Sequence, residues 1–325
     1  MNRNELDPRP CALCGLGRGK RWFRASDFDS GKEPFDLVQC DHCRAAWINP
    51  MPGERELARH YESAYYGMGA EKFHPVVESL TRWAGRHRAT ALLKLVPNSS
   101  TRTRVLDIGC GRGNLLRSLA ELGCECHGVE REDFPVAGDD STIDYHLGPL
   151  TESTFMGESF DLVIIWHVLE HLYDPAETLE RVKRWLKPGG ALVVAVPNIG
   201  SRQARWFGAS WFHLDVPRHL WHFSSESLDG RWQALGFEKV KDSGVSLEQN
   251  PYGFIQSVAN RLLPGSPNAL YRAIKSKSWL RLLLWSPLVA LLLPLALLES
   301  VASAGASHGA TIMHAVRKPA RTTRP

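Results

Sequence analysis

Apolar residues recur along this chain with two different periods, and the change of period marks out its organisation. Between residues 101 and 248, short apolar runs (Arg104 to Ile108, Glu125 to Glu130, Phe160 to Ile165, Ala191 to Val196) alternate with helical spacing over Asn114 to Leu122 and Ala176 to Leu186. Such alternation predicts an α/β core, a parallel sheet covered by helices. Ahead of it, residues 51–100 carry two helical patterns; the second places Val76, Val77, Leu80, Trp83, Ala84, Ala91, Leu92 and Leu95 near a 3.6-residue period and ends at Pro97. Further strands are expected around Phe237 to Val240 and over Ala310 to Val316, the second within a final segment, 306–325, that ends in a basic tail. Residues 249–305 lie between them and contain Leu282 to Leu298, 17 nearly all apolar residues of which ten are leucine.

Residues 1–50 follow neither period. They hold two CxxC pairs, Cys11 with Cys14 and Cys40 with Cys43, and are closed by the turn-forming run Asn49-Pro50-Met51-Pro52-Gly53. Each pair can form a knuckle whose thiolates occupy two corners of a tetrahedron, which points to a structural zinc module. So few large apolar residues build no core, and a bound zinc worth ~10 kcal/mol or more would supply the folding energy. Four thiolates leave no open coordination position for catalysis; four reduced cysteines in a poorly ordered arm, or a redox role, are the alternatives. For Cys110, Cys124 and Cys126 the expectation is small buried side chains.

Composition narrows the classes. With 43% hydrophobic and 23% charged residues the chain can bury a sizeable core, and a net charge of +4 does not announce a nucleic-acid binder. The N-terminus lacks the basic start and apolar run of a secretory signal, and the cysteine pairs suit a reducing compartment, so a cytoplasmic location is expected.

The candidate ligand site is Val105-Leu106-Asp107-Ile108-Gly109-Cys110-Gly111-Arg112-Gly113-Asn114, a buried strand entering a glycine turn and then a helix. Glycine at 109, 111 and 113 lets backbone approach a ligand, and the helix start is expected to offer free amides. A dinucleotide fingerprint requires glycine where Asn114 stands, which weakens an NAD reading. Glu130, closing the next strand in His127-Gly128-Val129-Glu130, is placed to accept from both hydroxyls of a ribose.

VLDIGCGRGN, HGVE, FDLVIIWHVLEHL and LKPGGALVVAVPN together resemble the class I S-adenosylmethionine-dependent methyltransferases over roughly residues 100 to 245. The resemblance implies a Rossmann-like, seven-stranded sheet whose last strand inserts antiparallel. It further implies that Asp107, Gly109, Gly111 and Gly113 surround the methionine part of S-adenosylmethionine, Glu130 holds the ribose, and Trp166 with His167 lines the cofactor. One departure is the absence of an acid near the adenine after the third strand, in His146-Leu147-Gly148-Pro149-Leu150. A zinc-peptidase reading of His167, Glu170 and His171 (HxxEH) needs a long helix, whereas this motif begins at a strand end. The ubiquinone-biosynthesis O-methyltransferases, distantly similar, carry a Glu-rich version that binds a divalent ion, and His167 replaces their first Glu; otherwise Glu170 and His171 cap and orient the following helix.

A second cluster, Trp211-Phe212-His213-Leu214-Asp215-Val216-Pro217-Arg218-His219-Leu220-Trp221-His222-Phe223, resembles a bacterial subgroup that also has the N-terminal cysteine pairs and is often linked to cell-envelope sugar or lipid pathways. The expected activity is therefore O-methylation of a small-molecule or lipid-linked acceptor, with His213 and then His167 as base. An RNA methyltransferase is the alternative, although the Asn/Asp-Pro-Pro-aromatic motif used for base amino groups is missing where Trp166-His167-Val168-Leu169 stands. A non-catalytic zinc and cofactor scaffold is the other alternative. Residues 282–298 are expected to touch a membrane peripherally as a shallow or re-entrant element bent at Pro287 and Pro294, or else to pack on the core or a second subunit.

Overall fold

The computed structural model describes residues 10–26, 34–60, 85–97, 102–132, 142–151, 154–244, 246–263, 268–275, 278–304 and 308–321. The helical pattern over Val76 to Ala84 therefore lies outside the described residues, as does most of the segment after Glu130; a helix over 85–93 (α2) carries the remainder of that pattern.

The predicted alternation builds the core. Strands β4 (Arg104–Ile108), β5 (Glu125–Glu130), β6 (Ile143–Leu147), β7 (Phe160–Trp166) and β8 (Leu186–Pro197) run parallel to one another. They join β10 (Glu238–Ser243) and β11 (Thr311–Arg317) in a seven-stranded sheet of order β10-β11-β8-β7-β4-β5-β6. β11 runs antiparallel to both neighbours, as the resemblance implies. Near-continuous burial of β4, β7 and β8 fits strands covered on both faces. The strand order reverses direction between β4 and β7, so a crevice forms beyond their carboxyl ends.

Helix α3 (Asn114–Glu121) follows β4, and α4 (Pro175–Trp185) follows β7 with Asp174 capping it by accepting from the Glu177 amide. Short helix α5 (Arg202–Phe207) is capped by Ser201, and α6 (Ser225–Leu235) begins with a reciprocal Ser224/Ser227 capping box.

The cysteine segment forms its own sheet, β1 (Gly19–Ser26), β2 (Pro34–Cys40) and β3 (Ala46–Asn49), followed by α1 (Glu54–Ala58). Its fourth strand comes from 170 residues away: β9 (Trp221–His222) pairs antiparallel with β3, Trp47 opposite Trp221. Apolar residues of this sheet and of the large sheet share one continuous core, including Leu37, Ile48, Val163 and Val194. The expected separate module is thus stitched to the large sheet by the histidine-rich segment.

Three more helices, α7 (Asn250–Leu262), α8 (Ala269–Lys275) and α9 (Trp279–Ala302), fill the connection between β10 and β11. α9 passes through Pro287 and Pro294 as one helix rather than ending within Leu282 to Leu298. Pro287 deprives the Leu283 carbonyl of its helical donor, and the Ser286 hydroxyl supplies one instead at 2.8 Å.

Candidate active site

The glycine turn is built by close packing as much as by ligand approach. Gly109 has φ +72° and lies against the Val168 side chain, so a Cβ there would collide with it; Gly113, at φ +70°, faces the Tyr145 hydroxyl in the same way. The amides of Gly109 and Cys110 both donate to the Val129 carbonyl, at 2.8 and 3.1 Å, and that of Gly113 donates to the Cys110 carbonyl at 3.0 Å. The Gly111 amide donates to Glu130 Oε2 at 2.8 Å. These four loop amides are therefore engaged within the protein, so recognition around the turn falls to side chains.

Those side chains are acidic. Asp107 is buried at the end of β4, where burial first and then Glu130 push its carboxyl up to about 8, while Arg88 on α2 acts in the opposite direction. Glu130, at the tip of the adjacent strand, is fixed by Gly111 and by the Arg131 amide at 3.0 Å. A ligand with a cationic amine and a vicinal diol matches this pair: the amine relieves the buried Asp107, and the diol donates to the remaining lone pairs of Glu130. Residues 109–113, Asp107, Glu130, Trp166 and His167 all stand at the same carboxyl edge of neighbouring strands. S-adenosylmethionine carries both groups, so the residues present fit it.

Sequence reasoning missed Arg88. Its guanidinium lies 4.2 Å from the centre of the Trp166 ring, and it donates to Glu248 at 3.0 Å. No local signal distinguishes it from the other arginines of that segment.

His167, with φ +54°, occupies the turn immediately after β7. Its amide donates to the Ala195 carbonyl at 2.8 Å, and Nδ1 lies 3.5 Å from Glu170 Oε1. Glu170 is 1% exposed. Burial alone would raise its carboxyl, but His167, His171 and His219 bring it down to about 2, so it stands as an anion among imidazoles. His171 Nδ1 donates to the Arg218 carbonyl and His219 Nδ1 to the His213 carbonyl, each at 2.9 Å. Glu170, His171 and His219 bring one possible ligand atom each within 4.8 Å of one another, a set able to take a divalent cation. The sequence did not reveal that His219 joins the HxxEH residues.

The other base candidate, His213, is enclosed. Its Nε2 faces Gly253 of α7, where a Cβ would strike it, and burial drops its pKa to about 3. Burial also lowers His219 to about 4 and His222 to about 3. Arg218 Nε donates to Asp215 Oδ2 at 3.0 Å, locking the loop that carries these histidines.

In the small sheet, Cys11 Sγ lies 3.8 Å from Cys43 Sγ, and Cys14 Sγ 3.8 Å from Cys40 Sγ. All four sulfurs fall within 4.8 Å of one another. A tetrahedron with metal–sulfur bonds of about 2.3 Å has edges of about 3.8 Å, so the donor set fits one zinc ion. The His42 and Cys43 amides both donate to Cys40 Sγ at 3.4 Å, an arrangement that stabilises a thiolate.

A methyltransferase domain model matches residues 80–242, half of the chain. The chain belongs to the S-adenosylmethionine-dependent methyltransferases. Among relatives, this methyltransferase is 36% identical over 239 residues to the ubiquinone biosynthesis O-methyltransferase of Dinoroseobacter shibae, covering 70% of this chain and 90% of that one. It is 31% identical over 171 residues to the protein of that name from Cereibacter sphaeroides, covering 49% and 68%. Among solved structures, a Haemonchus contortus phosphoethanolamine N-methyltransferase 2 in complex with S-adenosyl-L-methionine superposes with a TM-score of 0.47 at 19% identity, over 72% of this chain and 52% of that one. A methyltransferase from Archaeoglobus fulgidus gives 0.44 at 20% identity, over 73% and 94%.

Proposed function

We propose that this methyltransferase methylates an oxygen of a small-molecule, lipid or sugar acceptor, with His167 removing the acceptor proton and a zinc ion holding the four cysteines as a structural centre. The observation that carries the base assignment is the contact of His167 Nδ1 with the buried Glu170 carboxylate at the carboxyl end of β7. The relatives named as O-methyltransferases support oxygen as the acceptor atom.

S-adenosylmethionine supplies a methyl group on a sulfonium sulfur, open to in-line displacement. The chain's task is to hold donor and acceptor in line and to manage one proton. Asp107 binds the amino group and Glu130 the ribose hydroxyls, while Trp166 closes one side of the crevice. With Nδ1 of His167 turned to Glu170, Nε2 is the nitrogen left to take the hydroxyl proton, and the resulting imidazolium is stabilised by the adjacent carboxylate. Glu170 thus acts through His167 as a positioning residue. His213, sealed under α7, serves the packing of the loop instead.

The test is S-adenosylhomocysteine release from the purified protein with a panel of phenolic, lipid and sugar hydroxyl acceptors, followed by mass spectrometry of the product. O-methylated product that disappears in His167→Ala is expected. Methylation on nitrogen or carbon, or full activity in that variant, would contradict the proposal.

A further inference from the structure

Helix α9 is 24 residues long, about 36 Å at 1.5 Å per residue. From Leu282 to Leu298 it carries no charged side chain, and its one hydroxyl, that of Ser286, is already bonded to the Leu283 carbonyl. Trp285, Val289, Leu292 and Ala296 recur at helical spacing and pack on Ile255 of α7 and Leu270 of α8. The opposite side has nothing against it among the described residues: Leu284, Leu291 and Leu298, seven apart, are 81%, 70% and 66% exposed. Soluble monomers rarely leave contiguous apolar surface of this extent in water, so this face has an occupant.

Topology restricts the occupant. At one end Gln203 donates to the buried Glu299 at 2.6 Å, and the chain then enters β11 inside the large sheet. At the other, the Asn250 side chain ties the start of α7 to the start of β11, accepting from the Thr311 amide at 3.2 Å and hydroxyl at 2.9 Å while donating to the Gly244 carbonyl at 2.8 Å. Entry and exit of the α7–α9 excursion are thus pinned together at one sheet edge, and a single crossing of a bilayer is incompatible with β11. Arg272 and Arg281, both exposed, flank the start of α9.

We propose that the leucine face of α9 seats in a lipid bilayer from one side, with Arg272 and Arg281 at anionic headgroups, so that the methyltransferase is a monotopic surface enzyme. A second copy of the chain is the less suitable cover. Protein interfaces carry roughly one hydrogen bond per 100–200 Å², and the remaining side-chain donor of this stretch, the Trp285 indole, belongs to the side that packs on α7 and α8.

The test is flotation of the full-length protein with vesicles of phosphatidylcholine, alone or mixed with phosphatidylglycerol, with S-adenosylhomocysteine binding measured on the same preparations. Flotation with both, stronger with the anionic lipid, is expected; Leu284→Glu with Leu291→Glu should reduce it roughly tenfold or more without changing ligand affinity. Arg272→Glu with Arg281→Glu should remove the preference for phosphatidylglycerol. Protein that binds S-adenosylhomocysteine but stays with the unfloated fraction overturns the proposal, as does a lipid-free dimer that the leucine variants dissociate. A C-terminus accessible to protease only across sealed vesicles overturns it too. Loss of S-adenosylhomocysteine binding by the wild type would instead count against the cofactor assignment, so the two failures are distinguishable.

Discussion

His167 Nδ1 lies 3.5 Å from Glu170 Oε1, and the carboxylate is buried while the imidazole stands at the rim of the sheet. The pair resembles an oriented base: an anion fixes the ring and stabilises the charge that appears on it. Replacing His167 with Ala should lower kcat by about 10²-fold or more, the usual worth of a positioned base. Glu170→Gln should give a smaller loss and shift the pH profile of kcat. Both variants should bind S-adenosylhomocysteine within a few-fold of wild type, as calorimetry checks.

Cofactor affinity should depend on pH through Asp107. In the free protein burial and Glu130 hold its carboxyl at about 8. A bound ammonium favours the ionised form and lowers that value, so binding releases a proton at neutral pH. Affinity for S-adenosylhomocysteine should rise from pH 6 and level off near 8, by no more than about tenfold per pH unit for one proton. Asp107→Asn should flatten the profile, and titration in buffers of different ionisation enthalpy should lose the released proton.

Much of this site was legible because its signals are local. Asp107, the glycines and Glu130 fall at the ends of strands that their own apolar runs define, and β11 was readable as an apolar run before Arg317-Lys318. Pairings that join distant residues were not. β9 is two residues long, and nothing in Trp221-His222 announces that it completes the cysteine sheet. His219 reaches Glu170 only through the loop locked by Arg218 and Asp215. His213 looked like a base because a histidine among aromatics signals chemistry, but its surroundings enclose it. That α9 continues through its prolines was not readable either, because the bond of the Ser286 hydroxyl to the Leu283 carbonyl appears only in three dimensions.

β9, in the histidine-rich segment, pairs with β3 of the cysteine sheet, so metal loss should reach beyond the cysteines. One zinc per chain is expected by elemental analysis. Cys40→Ser, or chelation, should abolish methyl transfer and expose β9 to hydrogen exchange. Affinity for S-adenosylhomocysteine should fall less than methyl transfer, because Asp107 and Glu130 are carried by strands that pair within the large sheet and take no part in the β3–β9 pairing.

Acid should destabilise the fold from near pH 6.5 downward. Burial holds His213, His219 and His222 at about 3, 4 and 3, so the unfolded chain takes up protons that the native state refuses. Their stabilising contribution is complete above pH 6.5 and is lost as pH falls toward 4. Asp107 works in the opposite sense, since its raised carboxyl holds a proton that the unfolded chain releases. Three histidines outweigh the one raised carboxyl, so unfolding takes up protons and stability should rise with pH from about 4.5 to 6. Urea unfolding at several pH values measures this slope, which His222→Phe should reduce.

The cradle formed by Asp107, residues 109–113 and Glu130 is tested most directly by calorimetric titration of S-adenosylhomocysteine into the wild type and Glu130→Ala. The wild type should bind one equivalent, and the variant should bind at least about tenfold more weakly, since hydrogen bonds to a charged acceptor are worth ~1.5–3 kcal/mol. Equal affinity in the two proteins would contradict the placement of the ribose on Glu130, and no binding by either would contradict the cradle itself.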